Sequence, residues 1–406
     1  MLATLVRTLG SLQLAEDAVQ DAALAALRAW PRTGVPEDPR AWLTVTARNK
    51  AYDALRREAA RPAKETTSGW ELPRTAPDPA LETIEMLEPE SVVGDDLLRL
   101  VFTCCHPAIA MPARVALALR TLGGLEVSEI ARAFLVPEAT MAKRLVRARQ
   151  KIAQARIPYR VPSDAELPDR LPGVLAFVHL IATEAHAPSS GEEVVRVDLE
   201  LEAVRLARLL AELMPDEPEV LSLLALLLLT SARRSARTGN GAEPVLLADQ
   251  DRSLWDHTAI AEGCSLLDRA VRVSGGVAAS YQLQAHLAAC HCTTPSWQDT
   301  DWNRIVALYD LLLTLAANPV VALNRAVAVT ERDGPAAGLK ALDAIEGLAC
   351  SHLWHAARAD ALSRLGREPD AAAELRLSLS LAPTQPDRKL LQARLAGIPS
   401  KDGAIR

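Results

Sequence analysis

Aromatic residues make up only 3% of this 406-residue chain. Strands draw on aromatic and β-branched side chains, whereas the alanine and leucine that abound here favour helices packed at close range. The composition therefore predicts an all-α protein. Six cysteines over this length do not make the disulfide framework of a secreted domain. No stretch approaches the ~20 apolar residues of a membrane-spanning helix; the most apolar run is Leu221 to Leu229. The opening MLATLVRTLG lacks a signal-peptide core and a small-residue cleavage site, so the expectation is a cytoplasmic protein with reduced thiols and no membrane partner. Catalytic signatures are missing too. There is no GxxxxGK followed by Ser or Thr, no GxSxG and no HExxH, so neither catalytic residues nor a cofactor is expected.

Charge is unevenly placed. The net charge is −6, which excludes a uniformly basic nucleic-acid binder. Residues 137–162 nevertheless carry seven Lys/Arg against one acid, while residues 62–98 carry two against nine, and 190–220 are acidic. A basic island in an acidic chain points to one local polyanion contact.

The chain is organised in four parts. Within 1–57, Ala15, Ala18, Val19, Ala22, Ala26 and Trp30 make one apolar helical stripe. Pro31, Gly34, Pro36 and Pro39 break that helix and stiffen a loop. A second helix follows from Arg40 to Arg57. Its buried face carries Leu43, Ala47, Ala51 and Ala54, its opposite face Arg48, Asn49, Tyr52 and Arg56. Residues 58–94 lack a period and hold five prolines and many acids, which reads as a linker. Residues 95–160 form a second small helical unit, with a helix end at Gly123-Gly124. Residues 161–406 are helical almost throughout. There Ala326, Gly338, Leu342 and Ile345 recur as Ala359, Ala371, Leu375 and Ser378, a period of 33, with a partial earlier copy at Ala307, Leu311 and Thr314. Helix pairs at this period resemble tetratricopeptide repeats.

The strongest motif is EVSEIARAFLVPEATMAKRLVRARQKI, residues 126–152. Val127, Ile130, Ala131 and Phe134 give a first helix its buried stripe, and Pro137 restarts the chain. In the second helix Met141, Leu145, Ala148 and Ile152 form a seam, with Lys143, Arg147 and Gln150 opposite and Arg144 and Lys151 beside them. A helix with a long-armed cationic face suits the major groove, and Thr140 at its start suits the backbone. A solvated basic surface is the plainer reading, but the stripe, the proline and the charge contrast favour a helix-turn-helix. Leu135 stands in the turn, where many such motifs use glycine for a left-handed backbone.

Other clusters tempt less. Cys104-Cys105-His106 and Cys290-His291-Cys292 lack the separated ligand pairs of a zinc site, and no metal is expected there. Asp198, Glu200 and Glu202 read as a solvated helix face. His352 and His355, and Trp302 with Trp354, read as packing.

EDAVQDAALAALRAW (16–30), PRAWLTVTARNKAYDALRR (39–57) and the 126–152 motif occur in the order and spacing of extracytoplasmic-function sigma factors, which the chain resembles. Residues 98–145, together with MPDEPEVLSLLALLLL (214–229), LLADQDRSLWDHTAIAEG (246–263) and NPVVALNRAVAV (318–329), resemble a subgroup with a tetratricopeptide-like C-terminal extension. The resemblance implies a σ2 helical domain over 1–57, an acidic linker over 58–94, a σ4 helix-turn-helix domain over 95–160 and a helical-repeat domain over 161–406. It implies binding to core RNA polymerase, through the β′ clamp helices and the β flap, and to promoter DNA. Glu16, Asp17, Gln20 and Asp21 match the clamp-docking helix. The loop 31–39 matches the place that captures a flipped −10 base, and Arg48, Asn49, Tyr52, Arg56 and Arg57 match the −10 strand contacts. Lys143 and Arg147 match −35 base readers, and Thr140, Arg144 and Arg149 phosphate partners. Relatives carry another helical turn or two before LATLVRTLG, so the chain is expected to start inside the first σ2 helix. The linker acids, Glu82, Glu85, Glu88, Glu90, Asp95 and Asp96, match a segment that threads the polymerase cleft. The C-terminal domain is expected to regulate, through a protein or small-ligand partner. The alternative from a different class is a non-sigma helix-turn-helix regulator with a helical effector domain.

Overall fold

The computed structural model describes residues 1–9, 12–65, 96–154, 166–239, 244–315 and 317–398. The linker acids at 82, 85, 88, 90 and 95 lie outside the described residues, as does the Asp96 side chain. The protein is all-α: the described residues are mostly helical and contain no strand beyond an isolated bridge between Thr238 and Pro244. Two compact units divide the chain. One comprises Met1–Gly124 and Ala139–Val174, the other Leu125–Glu138 and Leu175–Arg406.

In the first unit, α1 (Leu2–Leu9), α2 (Leu12–Thr33) and α3 (Pro39–Glu65) pack their small residues together. Leu5, Val6, Ala15, Ala18, Ala22, Ala47 and Ala51 form one buried cluster, joined by Leu100 of α4 (Asp96–Cys104). The predicted stripes of α2 and α3 are thus the core, with Val19 and Leu43 half-buried at its edge. Alanine at the contact lets the helix axes come close while keeping full helix propensity.

Two helix ends differ from the sequence expectation. Pro31 does not break α2, which runs on to Thr33. It stops at Gly34, whose N–H donates to the Trp30 carbonyl at 2.9 Å and whose φ is 81°. Pro31 removes only one donor from the last turn, whereas the left-handed backbone that ends the helix needs glycine. The next helix also outruns its expected end at Arg57, continuing to Glu65. Glu58, Ala59, Ala60 and Arg61 are strong helix formers, so nothing local stops it there. Its start is as expected for proline in a first turn, and the Asp38 carboxylate accepts from Ala41 N–H at 2.9 Å.

Next come α5 (Met111–Thr121), α6 (Val127–Ala133), α7 (Glu138–Gln154) and α8 (Leu167–His186). Cys104 and Cys105 are fully buried, and a Cβ on Gly173 of α8 would stand 3.1 Å from the Cys105 sulfur. Burial pushes both thiols up, Cys105 to about 12, so they pack as small hydrophobes.

The second unit continues through α9 (Val197–Leu213), α10 (Pro218–Ser231), α11 (His257–Val273), α12 (Ser280–Cys292) and α13 (Trp302–Leu315). The apolar run Leu221 to Leu229 is the middle of α10, which is buried all round and packs against α9, α11 and α12. No helix among the described residues is long and apolar enough to cross a membrane. Then come α14 (Pro319–Asp333) with α15 (Pro335–Asp343), α16 (His352–Arg364) with α17 (Glu368–Leu381), and α18 (Gln385–Ala396). The second pair starts 33 residues after the first (352 − 319 = 33), so the sequence period is a period of helix hairpins.

Packing follows the repeat. A Cβ on Gly338 would lie 2.7 Å from the Thr330 Cβ and 2.9 Å from its Cα, so this crossing admits only glycine. One period later the corresponding residues are Ser363 and Ala371. Trp354 donates from Nε1 to the Leu342 carbonyl at 3.0 Å, and His355 bonds Glu374 at 2.6 Å and the Ala349 carbonyl at 3.0 Å, so both are structural. Trp302 packs at the edge of the cluster formed by Leu283, Leu287, Ile305 and Val306. The expectation for Glu200 is corrected: it is 7% exposed, 3.5 Å from Arg234, and not part of a solvated face. It stands in the first turn of α9, and the Arg234 guanidinium beside it overrides the local pattern.

Candidate nucleic-acid interface

The turn between α6 and α7 is built within Leu125–Glu138. The Val136 N–H donates to the Ala131 carbonyl and the Leu135 N–H to the Arg132 carbonyl, each at 3.0 Å, which closes α6 in a Schellman motif. Leu135 takes the left-handed place in it, with φ 52°. A leucine there costs roughly 1–2 kcal/mol relative to glycine, and its side chain is exposed. At the other end of α6, Glu129 accepts from Glu126 N–H at 2.6 Å.

The same Glu129 is held from downstream. Ser190 Oγ donates to it at 2.9 Å and Arg196 lies 3.5 Å away. Arg196 also lies 3.9 Å from Glu184, which accepts from Ser189 N–H at 2.9 Å, and Arg132 donates to the Ser189 carbonyl. The segment 184–196 therefore docks on α6 through a partly buried ionic network. Burial raises the Glu184 carboxyl above the ordinary range, against the lowering by Ser189 and Arg196.

On α7 the seam is buried as its spacing predicts: Met141, Leu145, Ala148 and Ile152 are all at most 7% exposed. Thr140, Lys143, Arg147, Arg149, Gln150 and Lys151 are exposed and Arg144 is half-buried. Thr140, Lys143, Arg144, Arg147 and Lys151 line one side of an open cleft of about 390 Å³. Its other side is Ile109, Ala110 and Ala113, at the start of α5. Those three residues carry no charge and no motif, and only the turn-forming proline at 112 hinted that a helix begins there. Val146 is 53% exposed on the same helix, an apolar surface that suits a thymine methyl.

In α3, Arg48 and Asn49 are exposed and Tyr52 is half-buried, while the side chains of Arg56 and Arg57 lie outside the described residues. The loop before it is short, with Gly34, Val35, Glu37 and Asp38 exposed. Trp30 and Trp42 meet edge to face across its base, with ring centroids 5.6 Å apart. Trp42, which the sequence pattern did not single out, is the partner of Trp30.

Asp17, Gln20 and Asp21 of α2 are exposed. Glu16 is not free: it pairs with Arg149 of α7 at 3.3 Å and accepts from Thr121 Oγ at 3.3 Å. Two residues expected to meet different partners are thus joined to each other, over 133 positions of sequence.

Known proteins bear on this arrangement as follows. Residues 1–61 match sigma-70 region 2, and residues 109–152 match sigma-70 region 4. Residues 170–271 match a family of unknown function (DUF6596). An uncharacterized protein of Rhizobium meliloti (strain 1021) is 39% identical over 405 residues, covering 99% of this chain and 94% of the relative. No solved structure matches.

Proposed function

This chain belongs to the sigma-70 family of transcription initiation factors, and we propose that it is an extracytoplasmic-function member. In this reading residues 1–57 act as region 2, 58–94 as an acidic linker, 95–160 as region 4, and 161–406 as a tetratricopeptide-like regulatory domain. The single observation that carries it is the exposed cationic face of α7 over a fully buried seam.

The division of labour follows from charge and exposure. Lys143 and Arg147 project from the cleft and read the −35 element in the major groove. Thr140, Arg144 and Arg149 bind its phosphates. Arg48, Asn49, Tyr52, Arg56 and Arg57, with the loop held by Trp30 and Trp42, stabilise the melted −10 strand. Asp17, Gln20 and Asp21 dock on the β′ clamp helices and region 4 on the β flap. Glu16 joins them once its pair with Arg149 opens, because Arg149 cannot hold Glu16 and a DNA phosphate with the same guanidinium edge. No covalent chemistry falls to this chain.

The test is runoff transcription with purified core polymerase on a fragment carrying the gene's own promoter. The expected result is a specific transcript, lost in the double variant Lys143→Ala/Arg147→Ala. In binding assays the same variant loses its preference for the −35 sequence, whereas Arg144→Ala/Arg149→Ala lowers the slope of log affinity against log salt by about two. A full-length protein that binds the promoter without polymerase and yields no transcript would establish the non-sigma regulator instead.

A further inference from the structure

The C-terminal helical unit holds a group of buried donors that the sigma reading does not use. Arg233 follows the end of α10, just before a 3₁₀ turn at Arg234–Ala236. Its Nε is inaccessible and has no hydrogen-bond partner, and among the described residues it forms no ion pair. Its immediate neighbours on the same turn are satisfied: Arg234 lies 3.5 Å from Glu200, and Arg237 donates to the His186 carbonyl at 2.6 Å. The contrast isolates Arg233.

A second guanidinium comes in beside it. Arg252 opens another 3₁₀ turn, Arg252–Leu254. Its Nη1 is fixed on the carbonyls of His291 and Thr294 at 2.7 and 2.8 Å. Its plane lies over the Trp255 ring, 4.5 Å from the centroid. That leaves Nη2 buried with no partner. Asp299 is near enough to act on Arg252 electrostatically but does not pair with it.

Two neutral groups stand beside them, an indole N–H and an imidazole nitrogen that donates in the tautomer protonated at Nδ1. Trp255 is 4% exposed and its Nε1 has no partner, and neither has Nδ1 of His291. The His291 ring stacks on Trp297 with centroids 6.2 Å apart. Burial, reinforced by Arg233 and Arg252, holds the imidazole down to about 4, so it is neutral near pH 7. Two half-buried guanidiniums side by side, each with one inaccessible and unpartnered nitrogen, are unfavourable, because each loses part of its hydration and each repels the other. An anion that accepts from both reverses that sign.

We propose that Arg233, Arg252, Trp255 and His291 bind a small oxyanion, either the phosphate of a phosphorylated metabolite or a carboxylate, in the C-terminal unit. Arg233, Arg252 and His291 are half-buried and their unpartnered atoms are inaccessible, which favours a metabolite-sized ligand over a macromolecule. The inference is independent of promoter recognition.

The test uses the full chain and two probes, inorganic phosphate and malonate, at constant ionic strength in chloride. Thermal unfolding and titration calorimetry are expected to show saturable stabilisation by at least one probe. A response to phosphate alone assigns a phosphate ligand, and a response to malonate a carboxylate. Arg233→Met removes the guanidinium while keeping an unbranched stem, and should weaken binding about tenfold or more. Arg233→Gln serves if the methionine variant does not fold. In the wild-type protein, hydrogen exchange should slow on probe binding at 252–255 and 289–294. No saturable effect of either probe, equal binding by the Arg233 variants, or protection elsewhere in the chain overturns the assignment.

Discussion

Arg196→Ala is the most informative single change, because Arg196 neutralises two carboxylates at once. It stands 3.5 Å from Glu129 of α6 and 3.9 Å from Glu184 of α8. Their side chains are 10% and 7% exposed, and that of Arg196 is 28% exposed. Removing one partner of a buried pair costs roughly 3–5 kcal/mol; water reaching Arg196 reduces that to about 1–3 kcal/mol. The cost depends on pH with a definite sign. The folded Glu184 carboxyl is already raised by burial, so its contribution favours the fold at low pH and is lost as pH rises through the raised value. Without Arg196 that value rises further, and Glu129 and Glu184 repel each other once both are ionised. Denaturant titration should therefore show a larger loss near pH 8 than near pH 5, by about 1 kcal/mol for each pKa unit of additional shift. Adding Glu184→Gln should recover most of the loss at the higher pH and little at the lower. Hydrogen exchange should locate the weakening in α6 and in 184–196. An equal cost at both pH values, or no recovery by Glu184→Gln, would refute the reasoning.

Gly338→Ala should destabilise the helix pair α14/α15 by about 1–3 kcal/mol through overpacking, and Thr330→Ala in the same chain should recover only part of it in thermal unfolding, since alanine removes the Thr330 hydroxyl but keeps the Cβ and Cα that the added Cβ also meets. Cys350 is exposed whereas Cys104, Cys105, Cys290 and Cys292 are buried, so a thiol reagent at about pH 8 should label Cys350 in the native protein and the four buried thiols only after denaturation. Fast native labelling of Cys104 or Cys105 would contradict their place in the core.

The legible part of this protein is what repeats at short range. Helical stripes recur every three or four residues, so the seam of α7 and the alanine faces of α2 and α3 could be read directly, and each is buried. The 33-residue period was equally plain, and it is a period of helix hairpins. Leu135, a leucine where such turns use glycine, speaks against the motif in the sequence, yet it takes the left-handed backbone all the same. The misread positions depend on which neighbour arrives. Glu200 has the same local pattern as a solvated acid, but it is buried beside Arg234. Pro31 looks like a stop, but the stop needed a left-handed residue three positions on. Trp42 became a partner for Trp30 only when the loop brought α3 back toward α2.

Helix identity, the cationic face of α7 and the family follow from the amino-acid order alone, because propensity and periodicity act between residues a few positions apart. Tertiary structure decided which charges were spent on one another. Glu16 with Arg149, Glu129 with Arg196, and Arg233 beside Arg252 lie 133, 67 and 19 positions apart along the chain. Electrostatic pairing acts through space and desolvation, and neither is written in sequence distance.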